Sequence, residues 1–375
     1  MSRRFDYTRQ ARDFTFRNPL LSYVGIQINF WVIAYVLLIT IIHLSNLSLI
    51  DVRGLDITLY YLPALGSAVV IGIIYGALLG IIDFKLDQRL NRRLSLGILI
   101  LIRSAIYGLV LVLIMFILRY LLWDQILAVY FYDPSEFISS NETWKNLFLL
   151  FGLYTIVLAP SINFINQVNR KFGPGVLLPM LFGKYRTPLE EERLFMLLDM
   201  KSSTTHAEVL GHKKYSSLVQ DCFHDMDEVI MKYKAEIYQY VGDEIVVSWL
   251  KTSSDDEEKC LDFFFDCQRK FQQRSNYYEQ NYGFVPLFKA GVHRGPVMAV
   301  EVGTIKREIA YHGDTINTAA RIQSVCNSYG KIILISNVIA ETINTSRYKI
   351  VQVGEIELKG KSIKTKIYSV EIVDE

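Results

Sequence analysis

Charge is what the first half of this chain lacks. Residues 18–50 hold no Asp, Glu, Lys or Arg, and neither do 57–82 or 146–169. Cysteine is also scarce: among 375 residues there are only Cys222, Cys260, Cys267 and Cys326. None falls in a Cys-x-x-Cys or Cys/His spacing, so the cysteines give no metal pattern and reduced, buried thiols are expected. Net charge is small, with 40 basic side chains against 38 acidic ones leaving +2, which gives no basis for nucleic-acid binding. No segment repeats. No cleavable signal is expected, because the first apolar run follows an Arg-bearing polar start and is too long for a signal core. The space left by these absences is apolar: 51% of residues are hydrophobic and mean hydropathy is positive. That excess sits in the N-terminal half, so the expectation is a transmembrane domain over 1–170, a connector over 171–189 and a second domain over 190–375.

Each uncharged run supplies the roughly 20 apolar residues that cross a bilayer. A further run, 97–122, is interrupted by Arg103 and Arg119, both expected to snorkel toward opposite interfaces. Four spans follow, at about 20–45, 57–82, 97–122 and 146–168. Basic residues cluster at Arg3, Arg4, Arg9, Arg12 and Arg17, at Lys85, Arg89, Arg92 and Arg93, and at Arg170 and Lys171. The loop at 123–145 has Lys145 against Asp124, Asp133, Glu136 and Glu142. An excess of basic residues marks cytoplasmic loops, so an integral, multi-pass protein of the inner or plasma membrane is expected, with its N-terminus and C-terminal domain both cytoplasmic. The connector, with three prolines and several glycines in 170–193, reads as broken rather than one continuous helix.

In the second half the periodicity changes. Leu194–Leu198 is an apolar strand ending in the acid Asp199. Ser202, Ser203 and Thr204 can cap a helix whose apolar residues recur at Val209, Leu210, Leu218, Val219, Phe223, Met226 and Ile230. Glu236–Leu250 reads as two strands about a Gly242-Asp243 turn. An amphipathic helix is expected over Glu258–Asn281, strands over Leu287–Ile309 and Ile332–Ile335, and a helix from His312-Gly313-Asp314 to about Tyr329. On that last helix Asn317 and Arg321 are four apart and share a face. A mixed sheet with helices on one face is the expected layering.

LFMLLDMKSST, YQYVGDEIVVSW and HGDTINTAARIQ together resemble the class III nucleotidyl cyclase catalytic domain over about 190–375. The resemblance implies a ferredoxin-like α/β fold in which Asp199 and Asp243 bridge two Mg²⁺ (or Mn²⁺) ions. It further implies that Asn317 orients the ribose and Arg321 meets charge on the α-phosphate. Glu355–Tyr368 resembles the family's closing strand pair, with Lys359, or else Lys361, as a triphosphate contact. Thr204 stands in the first loop, which departs from the usual Gly-Phe pattern. The two purine-selecting positions hold Gln239 and Ala310, which match neither the adenylyl nor the guanylyl pattern. A glutamine amide serves either base. ATP is favoured over GTP, because adenylyl activity is commoner in this architecture and no guanylyl marker is present. A single copy of each motif implies a homodimer with shared sites. A non-catalytic nucleotide-binding receptor is the rival reading. A diguanylate cyclase, suggested by Gly242-Asp243-Glu244, lacks the rest of its motif.

Overall fold

The computed structural model describes residues 18–53, 61–90, 94–122, 141–172, 180–343, 346–357 and 364–373. It divides into two compact units, 1–177 and 178–375.

The first unit is helical. Its elements are α1 (Pro19–Arg53), α2 (Tyr61–Leu90), α3 (Leu96–Ile117, extended by one wider turn to Leu122) and α4 (Asn141–Phe172). All four are long and apolar enough to cross a membrane. Gly72, Gly76 and Gly80 explain the tightest packing: a Cβ on each would lie 2.5–2.7 Å from the Cα of Val32, Ile28 and Val24 in turn. The reversed order makes α1 and α2 an antiparallel pair in backbone contact, the small-residue packing that membrane helices favour. Around it Trp31, Tyr35, Tyr75 and Tyr107 form an aromatic centre.

Arg103 corrects one expectation. It does not snorkel: its side chain is 0% exposed, paired with Asp87 and lying 3.9 Å from Asp83. Tyr107 and Gln27 both donate to Asp83, and Tyr23 donates to Asp87. A guanidinium between two carboxylates is stable in an apolar bundle only when paired in this way, so the ions face inward. The sequence places the acids outside the uncharged run, yet α2 continues through both.

The second unit begins with β1 (Leu189–Met200), followed by α5 (Ser203–Tyr233), β2 (Glu236–Val241) and β3 (Glu244–Leu250). Next come α6 (Asp256–Gln273), α7 (Ser275–Tyr282), β4 (Phe288–Val302), β5 (Glu308–His312) and α8 (Asp314–Ser324). The chain closes with β6 (Ile333–Ser336), α9 (Asn337–Ala340), β7 (Tyr348–Glu357) and β8 (Lys364–Ile372). The sheet order is β2-β3-β1-β4-β6-β8-β7, with β5 on β4. Only β4 and β6 run parallel among these pairs.

Alternation along β1 decides the layers. Leu194, Met196, Leu198 and Met200 face a core shared with α5, α6 and α7, through Leu218, Cys222, Phe264 and Tyr278. Phe195 and Leu197 face the opposite side, where Ala319 of α8 packs. Helices therefore cover both faces rather than one. All four cysteines are free and buried. The helix expected over 258–281 breaks at Arg274 into α6 and α7, where that arginine turns to pair with Asp225. The helix expected to reach Tyr329 ends at Ser324 and continues as turns.

Candidate active site

Two strand registers assemble the acids. Asp199 sits opposite Glu244 on β3 and opposite Lys289 on β4. Val241 pairs with Glu244, leaving Gly242-Asp243 as a two-residue turn. Gly242 has φ +63°, a conformation glycine adopts without a Cβ clash, so the hairpin reverses there and holds Asp243 beside the end of β1. Strand pairing thus brings together two acids 44 positions apart in the chain, near enough for the Asp199 charge to act on Asp243.

The electrostatics are those of two crowded carboxylates, of which Asp199 is paired with a lysine. Burial, then the Asp199 charge, raises Asp243 above the ordinary carboxylate range, while a hydrogen bond from Ser203 opposes the rise. Glu244 is raised by burial and by both acids. Tyr215 is pushed up to about 12, first by burial and then by Asp243. Asp243 Oδ2 is buried with no hydrogen-bond partner, a costly state that a cation would relieve. Asp199 Oδ2 takes Lys289 Nζ at 3.0 Å and the Gln323 amide at 3.0 Å. Two clustered carboxylates with an unsatisfied inward oxygen fit a hard divalent cation that completes its shell with substrate oxygens. No group of three or more His, Cys, Asp or Glu that could hold a metal occurs among the described residues.

The other expected residues fall elsewhere. Asn317 and Arg321 are exposed on α8, whose opposite face buries Thr318, Ala319 and Ile322. Among the described residues Arg321 has no ion pair, and no hydrogen bond or ion pair joins Asn317 or Arg321 to Asp199 or Asp243. Gln239 is exposed on edge strand β2 at a bulge, and half-buried Ala310 pairs with Val300. Their chain neighbours Tyr238 and Tyr311 touch, with ring centroids 5.0 Å apart. Thr204 is exposed, and the hydroxyl beside Asp243 is that of Ser203. Lys359 and Lys361 lie outside the described residues. Reasoning from sequence missed Lys289 and Gln323, because each sits among residues that read as plain strand or helix. An open groove of about 680 Å³ lies toward the far ends of β1 and β4, lined by Glu190, His293, Thr315 and Asn337, away from the acids.

Residues 191–371 match the model of the adenylate and guanylate cyclase catalytic domain. This half of the chain belongs to that family. The chain is similar to adenylate cyclase 2 of Rhizobium meliloti (strain 1021), 30% identical over 218 residues, covering 58% of this chain and 60% of that protein. Adenylate cyclase 1 of the same organism is 25% identical over 194 residues, covering 49% of this chain and 28% of that one. The chain therefore spans less than two thirds of either relative. A shorter match, 32% over 83 residues, links 22% of this chain to 13% of the guanylate cyclase soluble subunit beta-2 of Homo sapiens. Among solved structures, the adenylyl cyclase CyaB from P. aeruginosa superposes with TM-score 0.45 at 20% identity, covering 50% of this chain and 97% of that one.

Proposed function

We propose that the protein is a membrane-bound nucleotidyl cyclase that converts ATP to 3′,5′-cyclic AMP and pyrophosphate at sites shared by two copies of the chain. The observation that carries this reading is the split of one catalytic set over two surfaces. Asp199 and Asp243 meet at the end of β1, while Asn317 and Arg321 stand on the exposed face of α8. A second copy related by a two-fold axis can supply to each acid pair the Asn and Arg that its own chain turns outward.

In such a site Asn317 would orient the ribose so that its 3′-oxygen lies in line with the α-phosphorus. Attack forms the O3′–P bond and breaks the bond to pyrophosphate. The Arg321 guanidinium would meet the negative charge that grows on the α-phosphate, in a cleft that the second chain closes to water. Asp199 and Asp243 would hold two Mg²⁺ (or Mn²⁺), whose charge eases loss of the 3′-hydroxyl proton and offsets that of the phosphates. Gln239 and Ala310 would face the purine, with Thr204 and Lys359 as triphosphate contacts. Positioning and electrostatics suffice, without a covalent intermediate. The basic flanks of the spans support a cytoplasmic catalytic domain, on the side where the triphosphate is.

GTP is the second reading, favoured by the guanylate cyclase match and by the ambiguous Gln239. Purified full-length dimers with Mg²⁺ or Mn²⁺ and either ATP or GTP should yield a cyclic product, ATP the faster. No product from either nucleotide would sink the proposal. Gln239→Lys or Ala310→Asp should raise the ATP/GTP ratio and Gln239→Glu should lower it.

A further inference from the structure

One buried amide stands apart from the catalytic set. Gln323 is 6% exposed, near the end of α8, and its Nε2 donates to Asp199 Oδ2 at 3.0 Å. The backbone explains the reach. Gly291 on β4 lies under α8, where a Cβ would overlap the Gln323 nitrogen and the Ala319 carbonyl. Without a side chain there, the helix rests directly on β4, next to β1, and three side-chain bonds carry the amide to the acid. Lys289 reaches the same oxygen, so both donors bind Oδ2, and among the described residues no hydrogen bond or ion pair from α8 or β4 goes to Oδ1.

We propose that Gln323 is a positioning residue for Asp199. It fixes the carboxylate so that one oxygen is held by protein donors and the other is presented to a divalent cation. Outer donors that orient a ligating carboxylate set metal affinity and not only protein stability. The proposal rests on the reading of Asp199 as a metal ligand. It adds a connection, since the helix whose exposed face serves one shared site is pinned by Gln323 to the acid of the other.

The test is Mn²⁺ titration of the solubilised full-length protein without nucleotide, with free Mn²⁺ read by electron paramagnetic resonance. Gln323→Met keeps the length and removes the donor, and should weaken binding about 10–100-fold. Gln323→Asn, with its amide withdrawn by one methylene, should give an intermediate loss and serves if the Met variant fails to fold. Hybrid dimers locate the effect. One chain carries Asp199→Ala and the other Arg321→Ala, leaving one intact site. Gln323→Met should lower its turnover when placed on the chain with the intact acids, and should leave it unchanged on the other. Unaltered Mn²⁺ binding, or equal losses from both chains, would overturn the proposal. Wild-type protein that cyclises nucleotide yet gives this result defeats the role of Gln323 alone. Wild-type protein that binds no Mn²⁺ defeats the metal reading with it.

Discussion

At the scale of single residues, Asp243 carries a cost in stability. Its carboxyl is raised by burial and by Asp199, so its protonated form is the one the fold favours. A raised group contributes stability that is complete below the ordinary carboxylate range and is lost as pH rises through its elevated value. In the presence of chelator, Asp243→Asn should therefore match wild type in thermal midpoint at acid pH and exceed it at neutral pH. Scanning calorimetry across that range checks the sign, and equal midpoints throughout would refute it. Added Mg²⁺ should narrow the gap by stabilising wild type. The same substitution, and likewise Asp199→Ala, should lower turnover at least about a hundredfold. Arg321→Ala should lose about 10²–10³-fold in kcat with little change in stability, since the side chain is exposed in one chain.

At the scale of elements, the membrane helices divide their task between close packing and charge. Gly76→Leu would force its side chain into the α1 backbone at Ile28, and should destabilise the helical unit by about 1–3 kcal/mol. The readout is the denaturation midpoint of the detergent-solubilised protein. Arg103→Met would leave Asp83 and Asp87 facing each other without the guanidinium, at a cost of about 3–5 kcal/mol. A surface anchor would show almost none, so the experiment separates a buried pair from a snorkelling one. In the cyclase domain, α8 plays the corresponding joint role. Ala319 and Ile322 hold it to the sheet, Gln323 reaches an acid, and its outer face carries Asn317 and Arg321.

At the scale of the whole molecule, the decisive prediction is complementation. Asp199→Ala and Arg321→Ala chains, each inactive alone, should regain activity when mixed into demonstrated heterodimers, up to about half the wild-type level per dimer because one of two shared sites is intact. No recovery would show that the catalytic set does not span two chains. Much of this architecture is legible in the sequence. Three uncharged runs and a fourth interrupted by Arg103 and Arg119 announce the spans, the apolar strand before Asp199 and the Gly-Asp turn announce the acids, and the four-residue spacing of Asn317 and Arg321 announces a shared helical face. What was misread came from contacts distant in sequence. Arg103 looked like an anchor because its partners lie on another helix. The Gly72, Gly76 and Gly80 row carries no signal in its own segment, because close approach is a property of two helices.

Local pattern alone determined the division into an apolar helical half and an α/β half, the strand that ends in Asp199, the Gly242-Asp243 turn and the shared helical face of Asn317 and Arg321, since burial, turn formation and helical phase depend on neighbouring residues. Only the tertiary structure decided which groups touch Asp199, that α8 lies on the face opposite α5, α6 and α7, and that the intramembrane arginine is paired. Those outcomes are set by strand register and interhelical distance, and both emerge only once the chain has closed on itself.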